Sequence, residues 1–410
     1  MKDMTIVLGI TGGIAAYKAA MLASLLTKRG AKVITVMTKG ATAFITPLTL
    51  QSLTHQPVYT DIFDERDPSR ITHIDLADSA DLVVVAPATA DFIARAAQGM
   101  ADDLLTAVLL ATTAPVVLAP AMNVHMYAHP IFLQNLERLR DVGYYVAEPG
   151  VGPLACGYTG KGRLMEPDEI VEFMDMVLTP KRMSGKRVLI TAGPTRERID
   201  PVRYLSNDST GTMGYALAQM AWRMGASVTL VSGPVAIKPP LGVDVVNVES
   251  AAEMREIVLA RASEQDAIIM AAAVADYRPG TVSERKLKKD DGTRSIELVK
   301  TPDILMDLRE AKGRHTFVTG FAAETHDAEF YAKKKLLEKG ADMLVLNNVL
   351  EPGAGFGPGT NKVTVFFADD TSVDVEKQPK LDVAKELLAM ISERLQGQKD
   401  LANDQSVDSV

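Results

Sequence analysis

The feature that most constrains this chain is a recurrent alternation of short apolar, β-branched runs with longer stretches suited to helices. In the first half the runs are MTIVLGI, AKVITVMT, DLVVVAPA and PVVLAPAM, and YKAAMLASLLTKRG is one of the intervening stretches. Runs that are apolar without polar alternation are buried on both faces, as parallel strands are beneath crossover helices. The first half is therefore expected to be an α/β doubly wound unit. The second half repeats the scheme with RVLITAGPT, ASVTLVSGP, DAIIMAAAVADY, HTFVTGFAAET and ADMLVLNN. A length of 410 residues also exceeds what one hydrophobic core serves. The polar segment TPKRMSGK at 179–186, with its Pro and Gly, marks the boundary. The expected divisions are a domain at 1–180, a linker at 181–186, a second domain at 187–395 and a disordered tail at 396–410, where apolar content falls away.

Charge narrows the function classes. The net charge of -8 argues against nucleic acid or an anionic membrane as partner, because phosphate-backbone affinity comes from clustered Lys and Arg. Cys156 is the single cysteine, so no internal disulfide can form, and MKDMTIVLGITGG runs into a strand with no secretory n-region. Every apolar run is broken before the ~18 residues that a bilayer span needs. A soluble, cytoplasmic chain is expected.

Two glycine turns suggest anion sites. GITGGIAAYK ends a strand and opens a helix, which aims backbone N–H groups and the positive end of a helix dipole at one place. Gly9, Gly12 and Gly13 do not match the G-x-G-x-x-G spacing. A dinucleotide site would also put Asp or Glu after the second strand, where this chain has Met37, Thr38 and Lys39. The second half likewise has Ser232 and Gly233 there, which disfavours an NAD(P)-dependent reductase and leaves a mononucleotide phosphate, as in flavodoxin-like sheets with FMN, as the better fit. An ordinary strand-to-helix turn is the plain alternative. The run APATADF places small residues and a hydroxyl at a strand's carboxyl end, where open α/β sheets bind ligands. SNDSTGTMG before an amphipathic helix is either a second phosphate seat or a plain capped helix. Cys156 sits in GPLACGYTGKGRL among glycines 150, 152, 157, 160 and 162, a setting for a mobile flap better than for a core residue.

Taken together, GITGGIAAYK, FITPLTLQSL, THIDLADSADL, APATADFIARAAQGMADDLL, PAMNVHMY and ACGYTGKGRL resemble the homo-oligomeric flavin-containing cysteine decarboxylases. ITAGPTRERIDPVRYLSNDSTGTMG, AAVADYRP, KLKK, TPDIL and GFAAET resemble phosphopantothenate-cysteine ligases. The whole chain, from about residue 4 to 395, is similar to the bacterial bifunctional coenzyme A biosynthesis family. The resemblance implies a flavodoxin-like decarboxylase domain followed by a Rossmann-like ligase domain. It implies two steps: CTP activates 4'-phosphopantothenate as an acyl cytidylate that cysteine attacks, and the product is decarboxylated to 4'-phosphopantetheine. It further implies trimers of the first domain, dimers of the second, and an active site shared between subunits. A flavin-binding regulatory protein without catalysis is the remaining alternative, and the joint presence of His73, Asn123, Cys156 and Lys286 speaks against it.

By matching position, the resemblance makes Cys156 a proton donor, His73 an active-site base and Asn123 the neutral ligand of the departing carboxylate. FMN contacts carried over in this way are Thr11, Gly12, Gly13, Thr38, Phe44, Ala86, Thr89 and Asp102. For CTP they are Ala272, Asp276, Lys286, Pro302, Asp303, Ile304, Leu305, Phe321, Lys335 and Lys339. Asn207 is matched to the acyl cytidylate and Arg203 to the substrate phosphate. The loop departs from SNHSSGKMG in having Asp208 and Thr212 in place of His and Lys, and Asp91 stands where many relatives have Asn, so it receives no role. His55, His125, His129, His315 and His326 match no catalytic position. No metal-ligand spacing occurs, so Mg2+ is expected to arrive with CTP.

Overall fold

The computed structural model describes residues 1–64, 70–154, 157–288, 295–324, 328–348 and 359–407. By internal contacts they form two compact units, Met1–Leu178 and Thr179–Val410.

The first unit runs β1 (Thr5–Ile10), α1 (Ala16–Lys28), β2 (Lys32–Met37), α2 (Pro47–Thr54), β3 (Val58–Tyr59), α3 (Thr72–Ser79), β4 (Leu82–Ala88) and α4 (Ala90–Ala97). It continues with α5 (Leu104–Ala111), β5 (Val116–Pro120), α6 (Val124–Tyr127), α7 (Pro130–Asp141) and β6 (Tyr145–Val146). A hairpin of β7 (Gly150–Pro153) and β8 (Thr159–Arg163) precedes α8 (Pro167–Leu178). The six-stranded sheet is parallel throughout, in the order β3-β2-β1-β4-β5-β6. The doubly wound expectation therefore holds, with one refinement. Flavodoxin itself has the order 2-1-3-4-5, whereas this unit has 3-2-1-4-5-6, which puts the switch point between β1 and β4.

Burial on both faces explains the unbroken apolar runs. Val7, Val36, Val83, Val85 and Leu118 pack with Phe92, Leu105, Val108, Phe132 and Leu136 of α4, α5 and α7. Ile6, Leu8 and Val84 alternate with them and are fully buried, while α1 packs against α8, β2 and β4. On α1 the buried residues Ala16, Ala19, Leu22, Ala23 and Leu26 recur at helical spacing. Each buried Leu contributes about 1.5–3 kcal/mol.

The second unit runs β9 (Arg187–Ala192), β10 (Arg196–Arg198), β11 (Tyr204–Ser206), α9 (Thr212–Arg223), β12 (Ser227–Ser232), β13 (Asp244–Asn247), α10 (Ala251–Arg261) and β14 (Ala267–Met270). Next come β15 (Tyr277–Pro279), β16 (Leu298–Lys300), α11 (Ile304–Ala311), β17 (Phe317–Glu324), α12 (Ala328–Lys339) and β18 (Met343–Asn348). β19 (Thr360–Phe367), β20 (Ser372–Pro379) and α13 (Lys380–Val407) complete it. Its sheet has the order β13-β12-β9-β14-β17-β18-β19-β20. The first six strands are parallel and wound as in the first unit, and the last two join antiparallel. Val188, Ile190 and Ile269 face α9 and α13, and the alternating Leu189 and Ile268 face α10, α11 and α12.

Residues 181–186 are not a free linker: Met183 is fully buried in the second core, its N–H bonds Met224 O at 2.9 Å, and Lys181 Nζ reaches Arg223 O at 3.0 Å. One methionine among polar neighbours suffices to anchor the segment. Past Leu395 the helix α13 continues to Val407, although low apolar content predicts a disordered tail.

Candidate functional sites

Each unit holds a cavity beside its switch point. In the first unit the ends of β1 and β4 are tied by Thr11, whose hydroxyl donates to Pro87 O at 2.7 Å and accepts from Thr89 N at 3.0 Å. Thr11 is 2% exposed and thus shapes the turn from beneath. Above it a cavity of about 640 Å³ is lined by Gly12, Gly13, Thr89 and Asn123, with Ile14, Pro87, Met122 and Met126 as apolar walls. A Cβ on Gly12 would lie 2.8 Å from the Gly40 carbonyl carbon, so only glycine lets the two turns approach. Ala15 caps α1 with no side-chain hydrogen bond, and in the first turn Ala16 N and Lys18 N donate to Gly13 O and Ala15 O. The size, the apolar walls and the glycine turn at a helix N-terminus fit a flavin mononucleotide.

Asn123 caps α6, accepting the N–H of His125 at 2.8 Å. The side-chain Oδ1 is thereby fixed at the start of α6. The β7–β8 hairpin contributes Pro153, Leu154, Gly162 and Arg163 to the cavity wall. Its return strand is bonded to the Asn123 segment through Met122 N to Gly162 O at 3.0 Å. Glu166 accepts from both Lys18 and Arg163 at 2.8 Å. The Lys18 hydrogen bond chiefly, with the Arg163 charge, holds the Glu166 carboxyl below the usual carboxylate range. Both cations on the cavity wall are thus committed to one carboxylate. On the hairpin's other side Glu148 takes Lys161 at 2.6 Å and the Tyr127 hydroxyl at 2.6 Å.

Other expected residues lie elsewhere. Thr38 is half-buried and caps the turn that follows it, accepting Ala41 N at 3.3 Å, and Phe44 is exposed. Ala86 is fully buried in β4, and Asp102 pairs with Arg95 at 3.0 Å. His73 sits in the first turn of α3, with Nδ1 buried and without a hydrogen-bond partner among the described residues. None of these five borders the cavity within this chain. Cys156 lies outside the described residues. Asp91 is an exposed i,i+4 partner of Arg95.

The second cavity, of about 940 Å³, gathers most of the expected ligase residues. Asn207, Ala272 and Asp276 lie along one part, Pro302, Asp303, Ile304 and Leu305 along another, and Phe321, Lys335 and Lys339 complete the set. Asn207 Nδ2 donates to Ala273 O at 3.0 Å and Val274 O at 3.3 Å, which holds the SNDSTG loop to the end of β14. Asp303 caps α11, accepting Leu305 N and Met306 N, and takes Lys339 at 2.9 Å. Thr191 and Thr195 accept the N–H groups of Ala272 and Ala275, the counterpart of the Thr11 tie. α9 is drawn onto β9 because a Cβ on Gly214 would lie 2.5 Å from that of Ala192.

Sequence reasoning missed several residues here. Lys380 lines the cavity, is 7% exposed and donates to Thr212 Oγ1 at 2.8 Å at the start of α9. Burial lowers its pKa. Lys300, Asn347 and Asn361 also border the space. Isolated in EKQPKLD and TNKVT, Lys380 and Asn361 carry no local motif; β-hairpin closure alone brings them here. Arg203 and Lys286 do not border the cavity within this chain: Arg203 is held by Asp200, and Lys286 is exposed.

Comparison with known proteins follows the same division. The flavoprotein family model matches residues 1–179, and the model of the DNA/pantothenate metabolism flavoprotein C-terminal domain matches 183–395. The coenzyme A biosynthesis bifunctional protein CoaBC of Bacillus subtilis is 51% identical over 396 residues, 96% of this chain and 97% of that protein. Its Escherichia coli K12 counterpart is 45% identical over 372 residues, 90% and 92% of the two chains. A crystal structure of the C-terminal domain of a CoaBC protein is 45% identical, with a TM-score of 0.46, covering 53% of this chain and 99% of that one. This chain belongs to the family of bifunctional coenzyme A biosynthesis proteins CoaBC.

Proposed function

We propose that the second unit carries out CTP-dependent ligation of cysteine to 4'-phosphopantothenate, and that the first unit then decarboxylates the product in an FMN-dependent step. Family membership supports both roles, and the contrast between the cavities is the observation that carries their assignment: the smaller has mainly apolar walls with two cations sharing Glu166, and the larger is lined by four lysines and three aspartates.

In the first unit FMN supplies the electron sink that carboxylate loss requires. Gly12, Gly13 and the start of α1 would hold its phosphate, and Thr89 would border it. Asn123 binds the departing carboxylate through a neutral amide; a cation there would stabilise the charged ground state and oppose its loss. The hairpin excludes water, and Cys156 within it delivers one proton after CO2 has left. His73, outside the cavity of its own chain, acts as base in a site shared between copies, consistent with a trimer of this unit. In the second unit Lys335 and Lys339 stabilise charge on the CTP phosphates, Asn207 holds the acyl cytidylate, and Asp276, Ala272 and the 302–305 segment with Phe321 seat the cytidine. Lys286 and Arg203 serve the acyl and phosphate groups of a dimer-related site. Mg2+ enters on CTP, whose phosphates supply the hard oxygen ligands it prefers. No described helix is long and apolar enough to cross a membrane; the assignment to the cytoplasm rests on the family's role in coenzyme A biosynthesis.

The purified protein should be yellow, with flavin absorption, and should release pyrophosphate from CTP only when 4'-phosphopantothenate is present. A colourless protein that oxidises NADH would overturn this reading.

A further inference from the structure

We propose that Asp200 is a positioning residue for ligation, fixing Arg203 and the segment that bears Lys286 as one cationic unit; this rests on reading those two cations as substrate-facing. Asp200 has a fully buried side chain at the turn between β10 and β11. One carboxylate oxygen accepts Val202 N at 2.8 Å and Arg203 N at 2.9 Å, which closes the turn. The other accepts Arg203 Nε at 2.9 Å, Arg203 Nη2 at 2.7 Å and, across 87 residues of sequence, Leu287 N at 3.2 Å. Arg203 Nη2 also donates to Leu287 O at 2.6 Å. Leu287, the residue after Lys286, thus has both backbone polar groups taken by this one pair. A further bond, Ser283 N to Ile199 O at 3.0 Å, fastens the segment four residues earlier.

The geometry separates two jobs within one side chain. The oxygen facing Val202 and Arg203 N builds a local turn that many acceptors could build. The oxygen facing Leu287 joins two cations that the sequence places 83 residues apart. Lys286 is exposed, and a long flexible ammonium on an unanchored loop would lose backbone as well as side-chain freedom each time substrate bound. Anchoring the next residue removes the backbone part of that cost before substrate arrives. Only a carboxylate suits the position, because every neighbour of both oxygens is a donor. An asparagine can keep its oxygen on the turn, but its NH2 then meets the guanidinium and the Leu287 N–H, donor against donor. Asp200→Asn therefore cuts the long-range tie and spares the turn.

The test measures pyrophosphate release from CTP by the full chain, with 4'-phosphopantothenate and cysteine, at enzyme concentrations high enough to follow weak variants. Asp200→Asn should lower ligation kcat by about 10- to 100-fold with little change in KM for CTP. Lys286→Gln should lose more, and the double variant should be slower than Lys286→Gln by less than the Asp200→Asn factor, because the tie acts partly through Lys286 and partly through Arg203. Leu287→Pro, which deletes the N–H and leaves Asp200 in place, should reproduce the Asp200→Asn loss, and it decides the matter if Asp200→Asn does not fold. CO2 release from supplied 4'-phosphopantothenoylcysteine should stay at the wild-type rate in every preparation. With Lys286→Gln impaired, a wild-type kcat in Asp200→Asn or losses that multiply in the double variant overturn the positioning role alone. A wild-type rate in Lys286→Gln overturns the reading of Lys286 and the proposal with it.

Discussion

The two units share a winding order and differ in what lines their cavities. In each, six parallel strands follow the order 3-2-1-4-5-6, and a threonine hydroxyl ties the first strand to the fourth: Thr11 to the end of β4, Thr191 to Ala272 beyond β14. What differs is the density of charged groups. In the first cavity Lys18 and Arg163 share the one carboxylate of Glu166 and the walls are mainly apolar. In the second, Lys300, Lys335, Lys339 and Lys380 face one space with Asp208, Asp276 and Asp303, the last paired with Lys339. The same scaffold thus serves a reaction that sheds a carboxylate and one that gathers phosphates, and the side chains above the switch point decide which.

The comparison can be broken from either side. The largest effect is expected from Cys156→Ser: flavin should be retained and CO2 still released, but 4'-phosphopantetheine formation should fall by more than about 100-fold, with the unreduced product detected by mass spectrometry. Lys380→Gln removes a buried cation from the charged cavity, so KM for CTP should rise about tenfold while decarboxylation is untouched. An unchanged KM would mean that Lys380 serves only to hold Thr212. Glu166→Gln removes the one carboxylate that Lys18 and Arg163 share, which makes the first cavity's wall more positive, and should slow decarboxylation several-fold without loss of flavin. A faster enzyme would contradict the role given to Glu166.

Acid should act on the second unit through Asp200. Burial works to raise that pKa, but hydrogen bonds from Val202, Arg203 and Leu287 outweigh it and hold the carboxyl well below its usual value. The unfolded state therefore binds more protons below about pH 4, so the contribution of Asp200 is complete above that pH and is lost as pH falls towards the folded pKa. The thermal midpoint of the second unit should drop more steeply below about pH 4 in wild type than in Asp200→Asn. The smallest effect is Ser250→Ala, which deletes the α10 cap bond to Glu253 N and should cost about 1 kcal/mol with both activities intact.

Much of the fold was legible because buried parallel strands write themselves as unbroken apolar runs, such as LVVVAPA in β4. β19 escaped notice since most of it alternates: Asn361, Val363 and Val365 are buried while Lys362 and Thr364 are partly open, a period-2 signal easily lost among helices. The ligase residues that converge were legible because Asn207, Asp276 and the TPDIL segment lie at strand ends, where position in the motif fixes position in space. Lys380 and Asn361 were not, because a hairpin of late sequence carries them in. His73, Phe44, Lys286 and Arg203 are plain in the motifs yet lie off the cavities of this chain, because a motif fixes a residue's place along the chain and not what it faces.

The most direct test assays both half-reactions on one preparation of Lys286→Ala. Separate sites predict that pyrophosphate release from CTP falls by more than about 100-fold, while CO2 leaves supplied 4'-phosphopantothenoylcysteine at the wild-type rate. Equal loss of both activities would contradict the account.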